Sequence, residues 1–330
     1  MIRFPLLKSI AAAAVLGVSA LSAHAQDIIR AVTFTPAQVS FARNFQGFVD
    51  LVNERGAGVV QIQVIGGPET IPQERMGEAQ KNGIADMFLM PAGLYLNMVP
   101  EGEAFAGSNR NPMEVRADGG LDLVNEAFHA KGNAHVLAHV DGGAAFHLWT
   151  IEKPGIDADG QLDLSGIRIR SAPLYRAFLE KLGATIVVQG ATEVYTSLER
   201  GVIQGTGYPV TGLRDYGWDK FLKYRIDPGF FQTDVLISMN LDAWNRLSDE
   251  AKAIVNQAAI DHEQSSYDAN IKLNEEEGKI LADEGIETIE LTGAQREMFL
   301  TTAYDIAWER LKERDPTMHD ALKKIFFAGI

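Results

Sequence analysis

Strand-like and helix-like patterns alternate over about 125 residues after position 25, and that rhythm restricts the fold more than any other feature. Ile28 to Phe34 reads as a strand. Thr35-Pro36-Ala37-Gln38 has the form of a helix start, with Thr35 as N-cap, proline at N1 and glutamine at N3. That helix is expected to reach about Arg55, with Phe41, Phe45, Phe48, Val49 and Val52 on one face. Val59 to Ile65 is a second strand, Thr70-Ile71-Pro72-Gln73 opens a second helix, and Ala85 to Met90 makes a third strand. Asn111-Pro112-Met113-Glu114 caps a further helix that stops near Lys131-Gly132-Asn133. Such a βαβα order argues for a mostly parallel sheet with helices on both faces.

A second region begins near Thr150. Ile167 to Arg170 and Thr185 to Val188 read as strands, Leu174 to Leu182 and Glu193 to Arg200 as helices, and Gln204 to Gly207 as a glycine-rich turn. Phe230 to Met239 is an apolar strand long enough to pass from one lobe into another. Ser248 then caps a helical stretch to about Asp283, with Asp249 and Glu250 suiting its positive N-terminal end. A helix of about 36 residues is roughly 54 Å long, more than one small lobe spans, so it reads as a spine. Ala, Asn and Ser interrupt any sustained heptad pattern, which argues against a coiled coil. A strand from Ile286 to Leu291 and a helix opened by Thr292-Gly293-Ala294-Gln295 complete the chain.

Residues 1–25 read as a cleavable export signal. Arg3 and Lys8 make a positive start, Ile10 to Leu21 an apolar run, and Ala23-His24-Ala25 places small residues before a cut that leaves Gln26 first. The run is about half the length of a membrane span. Beyond it, 28 basic face 44 acidic residues, a net of −16. That charge repels nucleic acid and anionic lipid, so no nucleic-acid partner is expected, and an anionic ligand needs a local cationic group. The run Glu275-Glu276-Glu277 reads as solvated helix face. With no cysteine, neither disulfides nor thiolate metal sites hold the fold, and 46% apolar residues must do so alone.

Enzyme signatures are missing. The chain has no G-x-S-x-G elbow, no phosphate-binding P-loop and no H-E-x-x-H, and Gly205-Thr206-Gly207 lacks the third glycine of a dinucleotide site. His135 and His139 are four apart in a strand-like segment and read as packing residues, with no zinc site expected. No cofactor is expected. A periplasmic enzyme acting on a carboxylate stays as a rival reading.

The chemistry concentrates in Asp163-Leu164-Ser165-Gly166-Ile167-Arg168-Ile169-Arg170, then Leu182-Gly183-Ala184, then Glu193-Val194-Tyr195-Thr196-Ser197-Leu198-Glu199-Arg200-Gly201-Val202-Ile203-Gln204-Gly205. Arg168 and Arg170 share one strand face. A planar guanidinium suits a carboxylate through two parallel charge-assisted bonds; pairing with a surface acid is the other reading of the same spacing. This stretch resembles the signature of the extracytoplasmic solute-binding subunits of tripartite ATP-independent periplasmic (TRAP) transporters, the DctP-type family: D-L-x-G-x-K/R-x-R, L-G-A, and E-V-Y-x-x-L-x-x-G-V-x-x-G.

The resemblance implies an α/β, two-lobed periplasmic-binding-protein fold with hinge strands and a spine helix spanning both lobes. Lobe I is expected over residues 26–148 and about 235–277, lobe II over 149–234 and about 278–330. It implies a binding protein, not an enzyme, that clamps a small organic carboxylate and hands it to the small and large membrane subunits of a TRAP transporter. By the same resemblance Arg170 binds the carboxylate, while Tyr208, His147, Asp234 and Phe34 match further ligand-contacting positions. Tyr208 stands where the family often has asparagine and His147 where a second arginine is frequent. These replacements favour an aromatic or apolar monocarboxylate over a sugar acid, with a C4-dicarboxylate as a further alternative.

Overall fold

The computed structural model describes residues 26–330, so the export-signal reading of residues 1–25 lies outside the described residues. In chain order the strands are β1 (Asp27–Thr33), β2 (Val60–Gly66), β3 (Met87–Pro91), β4 (Ala134–His139), β5 (Ala145–Thr150), β6 (Gly155–Ile156) and β7 (Leu162–Asp163). They continue with β8 (Arg168–Ser171), β9 (Thr185–Val188), β10 (Gly205–Pro209), β11 (Tyr224–Gln232), β12 (Val235–Asn240) and β13 (Glu287–Glu290). Two sheets carry the fold. The first has the order β2-β1-β3-β12-β4, with β1 parallel to β2 and β3, and β12 antiparallel to β3 and β4. The second has the order β13-β11-β5-β10-β8-β9, with β8 parallel to both neighbours and β5 antiparallel to β10 and β11. The continuous apolar run Met87–Met90 is fully buried between β1 and β12, as a strand covered on both faces must be.

The chain crosses between the sheets at 140–144, after β4, and at Thr233-Asp234, which divides the run from Phe230 to Met239 into β11 and β12. The crossings are tied together. Thr233 Oγ1 donates to the Asp141 carbonyl (2.5 Å), as does Asn270 Nδ2 (2.6 Å), and the Asp141 amide donates to Ser266 Oγ (3.1 Å). Asn270 and Ser266 sit on the spine helix, Asp249–Asp283, which Ser248 caps by accepting from the Ala251 amide (3.2 Å). At 35 residues it runs about 52 Å. Near its middle Glu263 accepts from Arg116 Nε (2.5 Å) and the His139 amide (2.8 Å) beside the first sheet. Farther on, Glu277 meets Arg214 (3.3 Å) from the loop after β10. One helix therefore serves both sheets.

Several local expectations change, among them the helix read from Asn111 to near Lys131, which is broken at Gly119 into Pro112–Ala117 and Gly120–Ala127. The helix expected at Pro36 begins at Ser40 and ends at Arg55 as read, with Phe41, Phe45, Phe48, Val49 and Val52 buried. Thr35 caps nothing: its buried hydroxyl has no hydrogen-bond partner, and the Val39 amide closes a turn on the Pro36 carbonyl (3.0 Å). The glycine-rich segment after Gln204 is the fully buried strand β10, not a turn. A Cβ on Gly205 would stand 2.5 Å from the Trp149 carbonyl oxygen, and one on Gly207 2.7 Å from Tyr175 Cε2. These glycines serve close approach of neighbours. The last helical stretch is two helices, Gly293–Arg314 and Pro316–Phe326, because proline cannot continue the first and Asp315 caps the second through the Thr317 amide (3.0 Å).

His135 stacks on Trp244 (4.6 Å between centroids), and His139 Nε2 lies 2.6 Å from the Thr233 carbonyl. Among the described residues no group of three or more His, Cys, Asp or Glu is placed to hold a metal ion, and no helix is long and apolar enough to cross a membrane.

Gly205→Ala should destabilise the protein by about 1–3 kcal/mol in urea unfolding, because backbone on β5 must move to admit the methyl. An unchanged midpoint would show that β10 and β5 are not in contact at this register.

Candidate functional site

Between the two sheets lies a cavity of about 250 Å³. Phe34, Phe41, Gln73 and Gly93 line it from the first sheet's side, Phe146, Arg170, Tyr175 and Tyr208 from the second's, and Asp234 from the crossing. The walls are mostly apolar, with five aromatic rings among them, and Gln73, Glu74, Asn97, Arg170, Gln189 and Asp234 supply polar groups.

Arg170 is the third residue of β8, paired with Thr206 of β10 and Val187 of β9, so its strand is interior to the second sheet. Only 6% of it is exposed. Nε donates to the Gln189 carbonyl (3.0 Å), and Nη1 to Tyr175 Oη (2.8 Å) and, at 3.5 Å, to the Gly207 carbonyl. Tyr175 Oη itself donates to the Gly207 carbonyl (2.7 Å). None of these partners is a carboxylate, and Nη2 makes no hydrogen bond within the described residues. A buried guanidinium held by neutral groups is a costly arrangement unless an anion completes it. Arg168, two residues earlier, is exposed and spends its Nε and Nη2 on the Val202 and Gly201 carbonyls (2.8 and 2.7 Å). The strand thus uses one arginine to brace a loop and the other to face the cavity.

Asp234 is 1% exposed. Its Oδ2 accepts from the Gly93 amide (2.7 Å), and its backbone carbonyl from the Ala92 amide (2.8 Å). Burial pushes its carboxyl up to about 6, against the pull of the hydrogen bond from the Gly93 amide. Tyr175 and Tyr208 are likewise pushed up by burial, so both stay as neutral hydroxyls. The Tyr208 ring meets Trp218 edge-on (4.8 Å, 71°), and its hydroxyl has no hydrogen-bond partner among the described residues. Phe34 packs on Phe41 (5.5 Å), and its carbonyl accepts from Gln73 Nε2 (2.6 Å).

Four of the five residues singled out from the sequence, Arg170, Tyr208, Phe34 and Asp234, therefore line one cavity. His147 does not. Its neighbour Phe146 lines the cavity, whereas His147 Nδ1 turns to Asp227 Oδ1 (2.7 Å), and Arg225 completes that cluster at 2.8 Å. Sequence reasoning missed Tyr175, which orients Arg170, and Gln73, which it took for a helix-start residue. Tyr175 lies five residues after the key arginine, and that proximity was the available signal.

Comparison with known proteins bears on family and fold. The family model "Bacterial extracellular solute-binding protein, family 7" (DctP) matches residues 31–314. The ectoine-binding periplasmic protein TeaA of Halomonas elongata is 25% identical over 296 residues, covering 85% of this chain and 79% of TeaA. A TRAP periplasmic solute-binding protein of Chromohalobacter salexigens, solved with D-glucuronate, superposes with a TM-score of 0.78 at 18% identity, over 90% of this chain and 98% of its own. A marine-metagenome TRAP solute-binding protein specific for aromatic acids, solved with 3-hydroxybenzoate, superposes with a TM-score of 0.75 at 19% identity, over 92% and 97%. The two structures share the two-lobed fold of this chain.

The raised pKa of Asp234 has a definite sign. Its contribution to stability is fully present below about pH 4, the range of an ordinary aspartate, and is lost as pH rises through about 6. Asp234→Asn should therefore gain on the parent by on the order of 2–3 kcal/mol between pH 4 and pH 7.5 in denaturant unfolding. Parallel pH profiles for the two proteins would show that Asp234 is not buried as described.

Proposed function

The chain belongs to the family 7 bacterial extracellular solute-binding proteins, and on that premise we propose that it captures a small organic carboxylate in the periplasm and delivers it unchanged to the membrane subunits of a TRAP transporter. The observation that carries this reading is the buried, carboxylate-free guanidinium of Arg170 facing a cavity between two sheets. Nη2 is left for a ligand oxygen, and Tyr175 and the Gln189 carbonyl hold the guanidinium plane in place before the ligand arrives. Asp234, on the crossing, is positioned to accept from a donor elsewhere on the ligand. Tyr208 and Phe34 supply flat walls. His147 is assigned no contact, since it is committed to Asp227.

The mostly apolar lining, with the rings of Phe34, Phe41, Phe146, Tyr175 and Tyr208, favours an aromatic or otherwise apolar monocarboxylate over a sugar acid or a C4-dicarboxylate. The 3-hydroxybenzoate bound by a structural neighbour is in keeping with that choice, although another neighbour binds D-glucuronate. Two lobes, one built on each sheet, would close around the ligand about the crossings at 140–144 and 233–234. The closed form is what the small and large membrane subunits would recognise. The ligand leaves the cavity as it entered.

A thermal-shift panel of benzoates, sugar acids and dicarboxylates should yield a ligand that adds about 2.7 kcal/mol of stability at a hundred times its dissociation constant. Arg170→Ala should cost roughly 2–5 kcal/mol of binding, and Arg170→Lys should also bind far more weakly because the planar fork is lost. Unchanged affinity in either variant, or a new product in the supernatant, contradicts the reading.

A further inference from the structure

The Ser40–Arg55 helix starts behind a residue that cannot cap it. Val39 offers no polar side chain, so the first-turn amides need an acceptor from elsewhere. It comes from across the cavity. Asp215 lies in the loop between β10 and β11, on the second sheet's side, and its Oδ2 accepts from the Ser40 amide (2.8 Å) and from Ser40 Oγ (2.5 Å). Arg43, one turn on, holds both carboxylate oxygens at 3.4 Å. A carboxylate here also meets the positive end of the helix dipole.

Each side of this contact leads back to the cavity. The same first turn carries Phe41, which lines it and packs on Phe34 (5.5 Å). Next to Asp215, Tyr216 stacks on Trp218 (4.8 Å, 16°), and Trp218 holds Tyr208 edge-on at 4.8 Å. Asp215 itself does not line the cavity. A second, weaker bridge joins the same two sides where the Ala191 amide approaches Gln73 Oε1 (3.5 Å).

We propose that Asp215 is a positioning residue that holds the cavity shut by capping the Ser40–Arg55 helix from the opposite lobe. The cap exists only while the lobes are together, so it stabilises the closed form and leaves the open form with an uncapped helix. Apparent affinity scales with the closed fraction, so losing the cap weakens binding without removing any ligand contact. Only that consequence for affinity rests on the capture function proposed above; the contact itself does not.

The chain has no cysteine, so exposed Lys81 and Val202, one on each side, can be replaced by cysteine and spin-labelled. In the ligand-free protein, pulsed-dipolar distances should show a short and a long population. Asp215→Ala should lower the short-to-long ratio roughly tenfold, the usual reach of a helix cap. Arg43→Gln, at an exposed side chain, should lower it about two- to threefold. With 3-hydroxybenzoate and D-glucuronate as probes, any measured dissociation constant should weaken by the factor by which the closed fraction, computed from that ratio, falls in each variant. A ratio unchanged by Asp215→Ala, or a parent with no short population, overturns the latch. Failure of every carboxylate to bind the parent would instead remove the capture function, and the distance ratio would still decide the role of Asp215.

Discussion

A guanidinium buried without a counter-charge is the constraint from which the rest of this structure follows. Arg170 sits inside a sheet, where an unpaired charge is expensive, yet its fixed partners are two carbonyls and a tyrosine hydroxyl. Those partners impose demands of their own. Tyr175 must lie against β10, so Gly207 has no side chain; β10 must lie against β5, so neither does Gly205. The cost is met by local preorganisation, and an anion entering the cavity would recover it.

The electrostatics of the whole chain sharpen this point. Beyond residue 25 the net charge is −16, so the global field opposes an anion and only the local group attracts it. Two acidic residues, Glu74 and Asp234, line the cavity, and burial pushes the Asp234 carboxyl up to about 6. The first crossing behaves likewise: its Asp141 is pushed up to about 7 by burial despite the hydrogen bond from Asn44. Burial thus raises a carboxyl both on the cavity wall and in the first crossing, making each easier to protonate than an exposed aspartate.

Much of the architecture was legible because it is periodic. The strands at Val60–Gly66 and Thr185–Val188 and the spine from Ser248 to Asp283 follow from alternation, apolar runs and a capping serine. What failed was local chemistry that tertiary contacts override. Thr35-Pro36 has the form of a cap, but the chain spends those residues carrying Phe34 to the cavity, and the helix takes its cap from a loop about 175 residues later. Gln204 to Gly207 has turn composition, but its glycines make room for Trp149 and Tyr175. No single-sequence rule sees either partner.

The site divides in the same way. Arg170 was readable from its strand and motif, and Phe34, Tyr208 and Asp234 from alignment to a family pattern. His147 illustrates the limit, since spacing could not show that Asp227, itself paired with Arg225, already engages it. The carbonyls of Gln189 and Gly207 that hold Arg170 and Tyr175 are backbone acceptors, which leave no mark in a sequence.

The most direct test is a crystal structure of residues 26–330 with a bound carboxylate from the panel. The ligand should lie between the sheets, with a carboxylate oxygen about 2.7–2.9 Å from Arg170 Nη2. A carboxylate bound elsewhere, or an Arg170 side chain turned out to solvent, would contradict the assignment of that guanidinium as the anchor.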